Sequence, residues 1–197
     1  MAGRKNLSIM AIQELHIKNM VCDRCVRAVR QELERQGYVV RHIELGRAAV
    51  EGTLIELAVL EEGLAALGFE LLTDRNARTV NQIKSLIIDL IQSGQIARLN
   101  ITLSDYLSQQ LGKDYAHLSH IFSTTEHITI ERFWIMQRVE RAKELLSYRE
   151  MSISEIATQL GYSSLSYLSN QFKQVTGMTP ATYRDLSAPD RNPLDWI

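Results

Sequence analysis

Residues 101–122 and 151–172 repeat one pattern at an offset of 50 residues, so this stretch of chain must build the same unit twice. The two segments read ITLSDYLSQQLGKDYAHLSHIF and MSISEIATQLGYSSLSYLSNQF. In register, Leu103 pairs with Ile153, Ser104 with Ser154, Asp105 with Glu155, Leu118-Ser119 with Leu168-Ser169 and Phe122 with Phe172. Phe133 pairs with Tyr183 at the same offset. Each copy predicts an N-capped helix, a glycine-containing turn and a second helix. Ser104 and Ser154 are the expected caps, and Gly112 and Gly161 the expected turn residues. That is a helix-turn-helix, and two copies in register are far more specific than one αα-hairpin. Between the copies Thr129 is positioned to cap a long helix. Its apolar face is Phe133, Met136, Val139, Ala142, Leu145 and Leu146. About 17 residues of helix span roughly 25 Å, a rigid spacer between two reading heads.

The first part of the chain has a different rhythm. Leu15-His16-Ile17-Lys18 alternates as a strand does. Val26, Val29 and Leu33 fall at helical spacing, and Gly37 suits a left-handed cap. Residues 38–45 and 48–51 read as strands around Gly46. Leu57, Leu60, Leu64 and Leu67 mark a second helix stopped by Gly68, and residues 69–72 a last strand. The order β-α-β-β-α-β is that of a ferredoxin-like split βαβ unit. After Thr79 no strand is predicted, and Val80, Ile83, Ile87, Leu90 and Ile91 form one helix face ending at Ser93-Gly94. The fold class is therefore α+β. A ferredoxin-like domain over residues 1–74 precedes an all-α double helix-turn-helix domain over residues 79–186. Residues 187–197, with Pro189 and Pro193, read as a flexible tail whose Trp196 could dock elsewhere.

The second helix of a helix-turn-helix commonly enters a DNA major groove. Several motifs then become recognisable: Arg141-Ala142-Lys143-Glu144-Leu145-Leu146, Ile156-Ala157, Gly161-Tyr162, Ser166-Tyr167-Leu168-Ser169, Phe172-Lys173, Gly177-Met178-Thr179-Pro180 and Tyr183-Arg184. This signature strongly resembles the DNA-binding domain of AraC/XylS-type transcriptional regulators, over about residues 80–186. The first copy is similar more loosely, through Leu118-Ser119 and Ile121-Phe122. The resemblance implies two helix-turn-helix units joined by a long helix, on successive major-groove segments. In the second unit the recognition helix should begin near Ser163. It should expose Ser164, Leu165, Ser166, Ser169, Asn170 and Lys173, with Tyr167, Leu168 and Phe172 towards the core. Asn can bond adenine bidentately, Ser can reach bases or phosphate, and Lys173 suits a phosphate. In the first unit Asp114, Tyr115, Ala116, Ser119 and His120 occupy the matching surface, and His117, in the place of Tyr167, should pack. The family often has Arg where this chain has Asn170, which makes guanine readout there less expected.

The charge adds a constraint. The chain has 22 Lys+Arg and 23 Asp+Glu, a net charge of -1. A basic face is the usual footprint of DNA binding. Positive charge must therefore be segregated, with Arg132, Arg138, Arg141, Lys143, Lys173 and Arg184 as candidates, or non-specific affinity must be weak.

Met20-Val21-Cys22-Asp23-Arg24-Cys25 lies where the first loop enters the first helix. It resembles the motif of heavy-metal-associated domains, as in copper chaperones and metal-pumping ATPases. Asn19 stands where that family often has Gly. Two thiolates three residues apart can hold a soft ion such as Cu(I), whereas tetrahedral zinc needs two more ligands. A helix N-terminus, with Arg24 and Arg27 nearby, should lower the thiol pKa of Cys25. A reversible disulfide, or cysteines in a domain used only for packing or dimerisation, are the alternatives. Met20 is expected to pack rather than ligate.

His16 and His42 sit on expected strands as structural residues, and His127 in a loop. No nucleophile–base pair, phosphate loop or carboxylate pair emerges, so no enzyme is expected. No signal peptide or bilayer span is expected either, which points to a cytoplasmic protein. Two cysteines exclude a disulfide-dense scaffold. The reading that follows is a sequence-specific regulator on double-stranded DNA. No cofactor is required, Cu(I) or another soft metal is a candidate effector, and RNA polymerase and a homodimer are candidate partners. The competing reading is a copper-type metal-binding or chaperone protein whose helical domain docks onto protein.

Overall fold

A computed structural model describes residues 11–52 and 57–186. The expected tail, with Trp196, lies outside the described residues. The chain divides into two compact units, residues 1–82 and 83–197.

In the first unit β1 (Ala11–Lys18), β2 (Val39–Glu44), β3 (Arg47–Gly52) and β4 (Glu70–Leu71) form one antiparallel sheet in the order β2-β3-β1-β4. Two helices, α1 (Asp23–Arg35) and α2 (Leu57–Ala65), complete the element order β-α-β-β-α-β. Side chains alternate along a strand. Leu15 and Ile17 of β1 and Ala48 and Val50 of β3 thus bury against Val29 and Leu33 of α1 and Leu60 and Leu64 of α2. A bulge between Val40 and His42 shifts the β2 register, and Arg41 pairs with Glu51 of β3. One expectation changes here. Leu67 is 48% exposed and lies beyond the end of α2, so it is not on the buried stripe. Gly37 takes the expected left-handed conformation (φ 88°) just after the C-cap Gln36 and closes α1.

The remaining elements are helical. Helix α3 (Arg75–Gln92) runs across the division between the units and buries Val80, Ile83, Ile87, Leu90 and Ile91. A 3-10 turn (Gln95–Arg98) follows, then α4 (Leu103–Leu111), α5 (Tyr115–Glu126), α6 (Ile130–Tyr148), α7 (Ile153–Gln159), α8 (Leu165–Thr176) and α9 (Pro180–Arg184). No strand occurs among the described residues after Leu71. The 19 residues of α6 make it about 28 Å long. Thr129 caps it by accepting from the Arg132 N–H.

His16 faces away from the first unit's core, beside Glu14 (3.6 Å), yet keeps only 12% of its side chain exposed. Burial holds its imidazole below the ordinary value of 6.5; Glu14 opposes that shift, and Arg78 and Arg47 reinforce it. The unfolded chain therefore takes up this proton at a higher pH than the folded one. The stability that follows is complete above 6.5 and is lost as pH falls through 6.5 towards the folded value. Glu32 of α1, whose carboxyl is pulled below 4.5 chiefly by its hydrogen bond from Arg35, titrates in a more acidic window. Urea unfolding should show falling stability between about pH 7 and 5. His16→Gln should flatten that part of the profile.

Candidate nucleic-acid interface

The first helix of each repeat is capped two residues earlier than the pattern suggested. Thr102 caps α4, accepting from the Asp105 N–H, and Ser152 caps α7, accepting from the Glu155 N–H. Glu155 accepts in return from the Ser152 N–H, closing a capping box. Ser104 and Ser154 sit inside the first helical turn, so they are not the caps. The physical reason is register: Leu103 and Ile153 are already helical, and a cap must precede them.

Helix α4 ends on the left-handed Gly112, and α5 starts after Asp114, whose carboxylate accepts from the Ala116 N–H. Leu118, Ile121 and Phe122 turn inward, and Phe122 tilts against Phe133 of α6 with centroids 5.6 Å apart. Ala116, His117 and His120 are exposed, and Ser119 is half-buried. His117 is therefore not packed as its pairing with Tyr167 implied. Tyr115 is half-buried and donates its hydroxyl to the Glu131 carboxylate at the start of α6. Burial first, then this bond, pushes the phenol well above its ordinary range.

The second unit turns earlier. Leu160 caps α7 and the left-handed Gly161 follows, so the linker to α8 is longer. Helix α8 begins at Leu165 rather than near Ser163, because Ser164 is its cap and accepts from the Tyr167 N–H. Leu168, Gln171 and Phe172 are buried, with Phe172 edge-on to Tyr183 of α9 at 5.5 Å. Ser163, Ser164, Leu165, Ser166, Asn170 and Lys173 are exposed together, and Ser169 is half-buried. Tyr167 is not a core residue: it is 48% exposed, edge-on to Tyr162 at 5.8 Å, and accepts from Gln171 Nε2. Its aromatic ring beside Leu168 predicts a core position that the short helix does not supply. It joins the outward face of α8.

Four of the six candidate surface cations are structural instead. Arg138 is buried, with its guanidinium carbon 3.6 Å from the Tyr162 ring centroid and 5.3 Å from that of Trp134. Its Nε donates to the Leu160 carbonyl at 2.9 Å, and burial lowers its pKa. Lys143 is buried in an ion pair with Glu140 at 3.0 Å, and Arg141 pairs with Glu144. Arg184 donates to the Met151 carbonyl at 2.8 Å. Arg132 and Lys173 remain exposed.

In the first unit the Sγ atoms of Cys22 and Cys25 lie 3.5 Å apart as free thiols. Cys22 is the N-cap position of α1, and Met20 is buried. Asn19 adopts φ 71°, a left-handed conformation that Asn tolerates, and donates to the Gly68 carbonyl. The expected lowering of the Cys25 thiol is overturned. Burial pushes it up, backbone contacts at Val21 and Cys22 only partly oppose this, and the neighbouring Cys22 thiol raises it further. Arg24 and Arg27 are exposed to solvent. No cluster of three or more metal-ligating side chains occurs among the described residues. No described helix is long and apolar enough to cross a membrane.

Residues 107–185, from within α4 through α9, match the family model described as a helix-turn-helix domain. An uncharacterized HTH-type transcriptional regulator of Staphylococcus aureus is 35% identical over 85 residues, 43% of this chain and 11% of its own length. The "Probable transcriptional regulator LumQ" of Photobacterium leiognathi is 28% identical over 128 residues, 58% of this chain and 52% of its own. This chain thus spans about a tenth to about half of these relatives. Among solved structures, the C-terminal domain of the two-component response regulator yesN from Fusobacterium nucleatum has 31% identity and a TM-score of 0.45. It covers 53% of this chain and 99% of that one.

The attachment of the second head generates a test. A Cβ on Gly161 would lie 2.3 Å from Ile96 Cγ2 of the 3-10 turn, and Gly161 has φ 66°. A left-handed Ala costs about 1–2 kcal/mol, and overpacking adds roughly 1–3 kcal/mol. Gly161→Ala should destabilise the chain by about 2 kcal/mol or more by these two effects, measured by denaturant unfolding. Adding Ile96→Ala should recover the steric part but not the backbone part. Additive losses in the double variant would contradict the contact.

Proposed function

We propose that this chain is a sequence-specific DNA-binding transcriptional regulator of the AraC/XylS type. One observation carries the reading: α8 and the turn that leads into it expose Ser163, Ser164, Leu165, Ser166, Asn170 and Lys173 together, while Leu168 and Phe172 anchor the other side of the helix. These are small, hydrogen-bonding or apolar groups suited to base edges, with one cation for phosphate. The helix-turn-helix match over residues 107–185 and the names of the relatives support the same reading. Asp114, Tyr115, Ser119 and His120 form the corresponding surface of the first head. Double-stranded DNA is the partner, in a cytoplasmic protein with no enzymatic role. RNA polymerase and a second copy of the chain are candidate further partners. Selection from a random DNA pool should enrich discrete sequences, and no enrichment at low salt would overturn the reading. Asn170→Ala should lower affinity for the enriched sequence by about tenfold or more, the value of a lost bidentate base contact. Affinity for unrelated DNA should change little.

The first unit is read as a ferredoxin-like, heavy-metal-associated-type domain that makes the regulator responsive to a soft metal or to thiol oxidation. Its element order, with β1 and β3 central and β2 and β4 at the edges, supports that topology. The two sulfurs 3.5 Å apart on one helix start are a donor set suited to a low-coordinate soft cation. Cys22 and Cys25 would hold Cu(I), which would draw both thiols to thiolate. Anaerobic Cu(I) titration against a chelator should give one high-affinity site, absent from the Cys22→Ser/Cys25→Ser variant. Equal binding by both forms would remove the metal reading and leave oxidation of the thiols to test.

A further inference from the structure

Leu165 is the first helical residue of α8 and is 45% exposed, although its spacing is that of a core position. Leu165, Leu168 and Phe172 fall at i, i+3 and i+7, one stripe of an α-helix. Leu168 and Phe172 are fully buried, and Leu165 is not. The reason is position. Helical side chains lean towards the helix N-terminus, so a residue in the first turn projects past the helix start and beyond the core that its stripe serves. The flanking Ser163, Ser164 and Ser166 are too small to cover it, and Ser164 is engaged in the cap.

The equivalent position in the first head shows the contrast. At the repeat offset Leu165 corresponds to Tyr115. Tyr115 is half-buried and tied through its hydroxyl to Glu131. Only the second head therefore leads with an untethered, branched apolar group. N-terminal residues of a recognition helix meet base edges in the major groove. The one apolar group a base pair presents there is the thymine 5-methyl.

Resting on the DNA-binding reading above, we propose that Leu165 is a specificity-determining residue that reads a thymine methyl group. A serine or charged side chain at this place could hydrogen-bond several base edges. Leu165 gains only by shedding water against another apolar surface, so it favours a 5-methylpyrimidine and penalises its absence.

The test uses the full chain and an operator selected from a random pool. Each thymine of the operator is replaced in turn by uracil, which removes only the methyl. One replacement should weaken wild-type binding about fourfold, the worth of one buried CH2-sized group. Leu165→Ala should bind the thymine and uracil operators alike. Leu67→Ala, at an exposed leucine of the first unit, should keep the wild-type discrimination. Matching thermal unfolding of Leu165→Ala and wild type would exclude a folding defect. A bound operator with no methyl-sensitive position would overturn the assignment of Leu165 while leaving DNA binding intact. So would methyl sensitivity that survives in Leu165→Ala. A pool that yields no operator would overturn the DNA-binding reading itself, and this inference with it.

Discussion

A guanidinium removed from water holds the second reading head to the central helix. Arg138 sits inside the second unit, 3.6 Å from the Tyr162 ring centroid and bonded to the Leu160 carbonyl. Burying a charge without compensation is costly, and it is tolerated where π faces and a carbonyl replace the lost water. Both partners belong to the turn between α7 and α8, on either side of Gly161. The angle at which α8 leaves α7 thus depends on a contact made from α6. Ile96 closes the same turn from the 3-10 segment, filling the space a side chain at position 161 would need. A recognition surface of small residues has little packing of its own to hold it in place. Its rigidity is set by this turn and by Leu168 and Phe172 underneath.

What could be read in the sequence follows from which forces are local. Strand alternation placed Leu15 and Ile17 in the core, and helical spacing placed Ile83, Ile87 and Leu90, because burial of apolar side chains follows periodicity. Thr129 as a cap was legible because Ile130 opens an apolar run. The caps of α4 and α7 are not legible at this level: two hydroxyl residues stand within three positions at Thr102/Ser104 and at Ser152/Ser154, and only backbone register chooses between them. The repeat pattern points Tyr167 and His117 inward, but both sit early in short helices, where the core ends before the periodicity does. Arg138 and Lys143 are surface cations by sequence and are buried in the structure. Nothing local distinguishes a surface cation from one that a distant tyrosine covers. The thiol of Cys25 shows the same limit: helix position alone suggested a low pKa, and burial reversed it.

The fate of the cations also reframes the net charge of -1. Arg138, Arg141 and Lys143 are consumed inside the second unit, and Lys84 is paired with Glu126 at 2.6 Å. Few exposed cations remain near the recognition helices, and Lys173 is the one on the outward face of α8. Sequence-independent DNA affinity scales with the number of phosphates neutralised. On the DNA-binding reading proposed above, a surface with so few phosphate partners would gain most of its affinity from shape and base contacts, and discrimination between sites would rise accordingly.

The two heads are not equivalent under that reading. Each recognition helix must satisfy its first N–H groups, and each does so with a different cap. Asp114 does it with a carboxylate and Ser164 with a neutral hydroxyl. A helix N-terminus carries partial positive charge that favours an approaching anion. Asp114 cancels that attraction in the first head, where Tyr115 is also pinned to Glu131. Ser164 leaves it available in the second, beside an unpinned Leu165. The same repeat has thus produced one head whose recognition helix is braced and anionic at its start, and one whose start is neutral and open. Close approach to the DNA backbone and the reading of individual bases both favour the second.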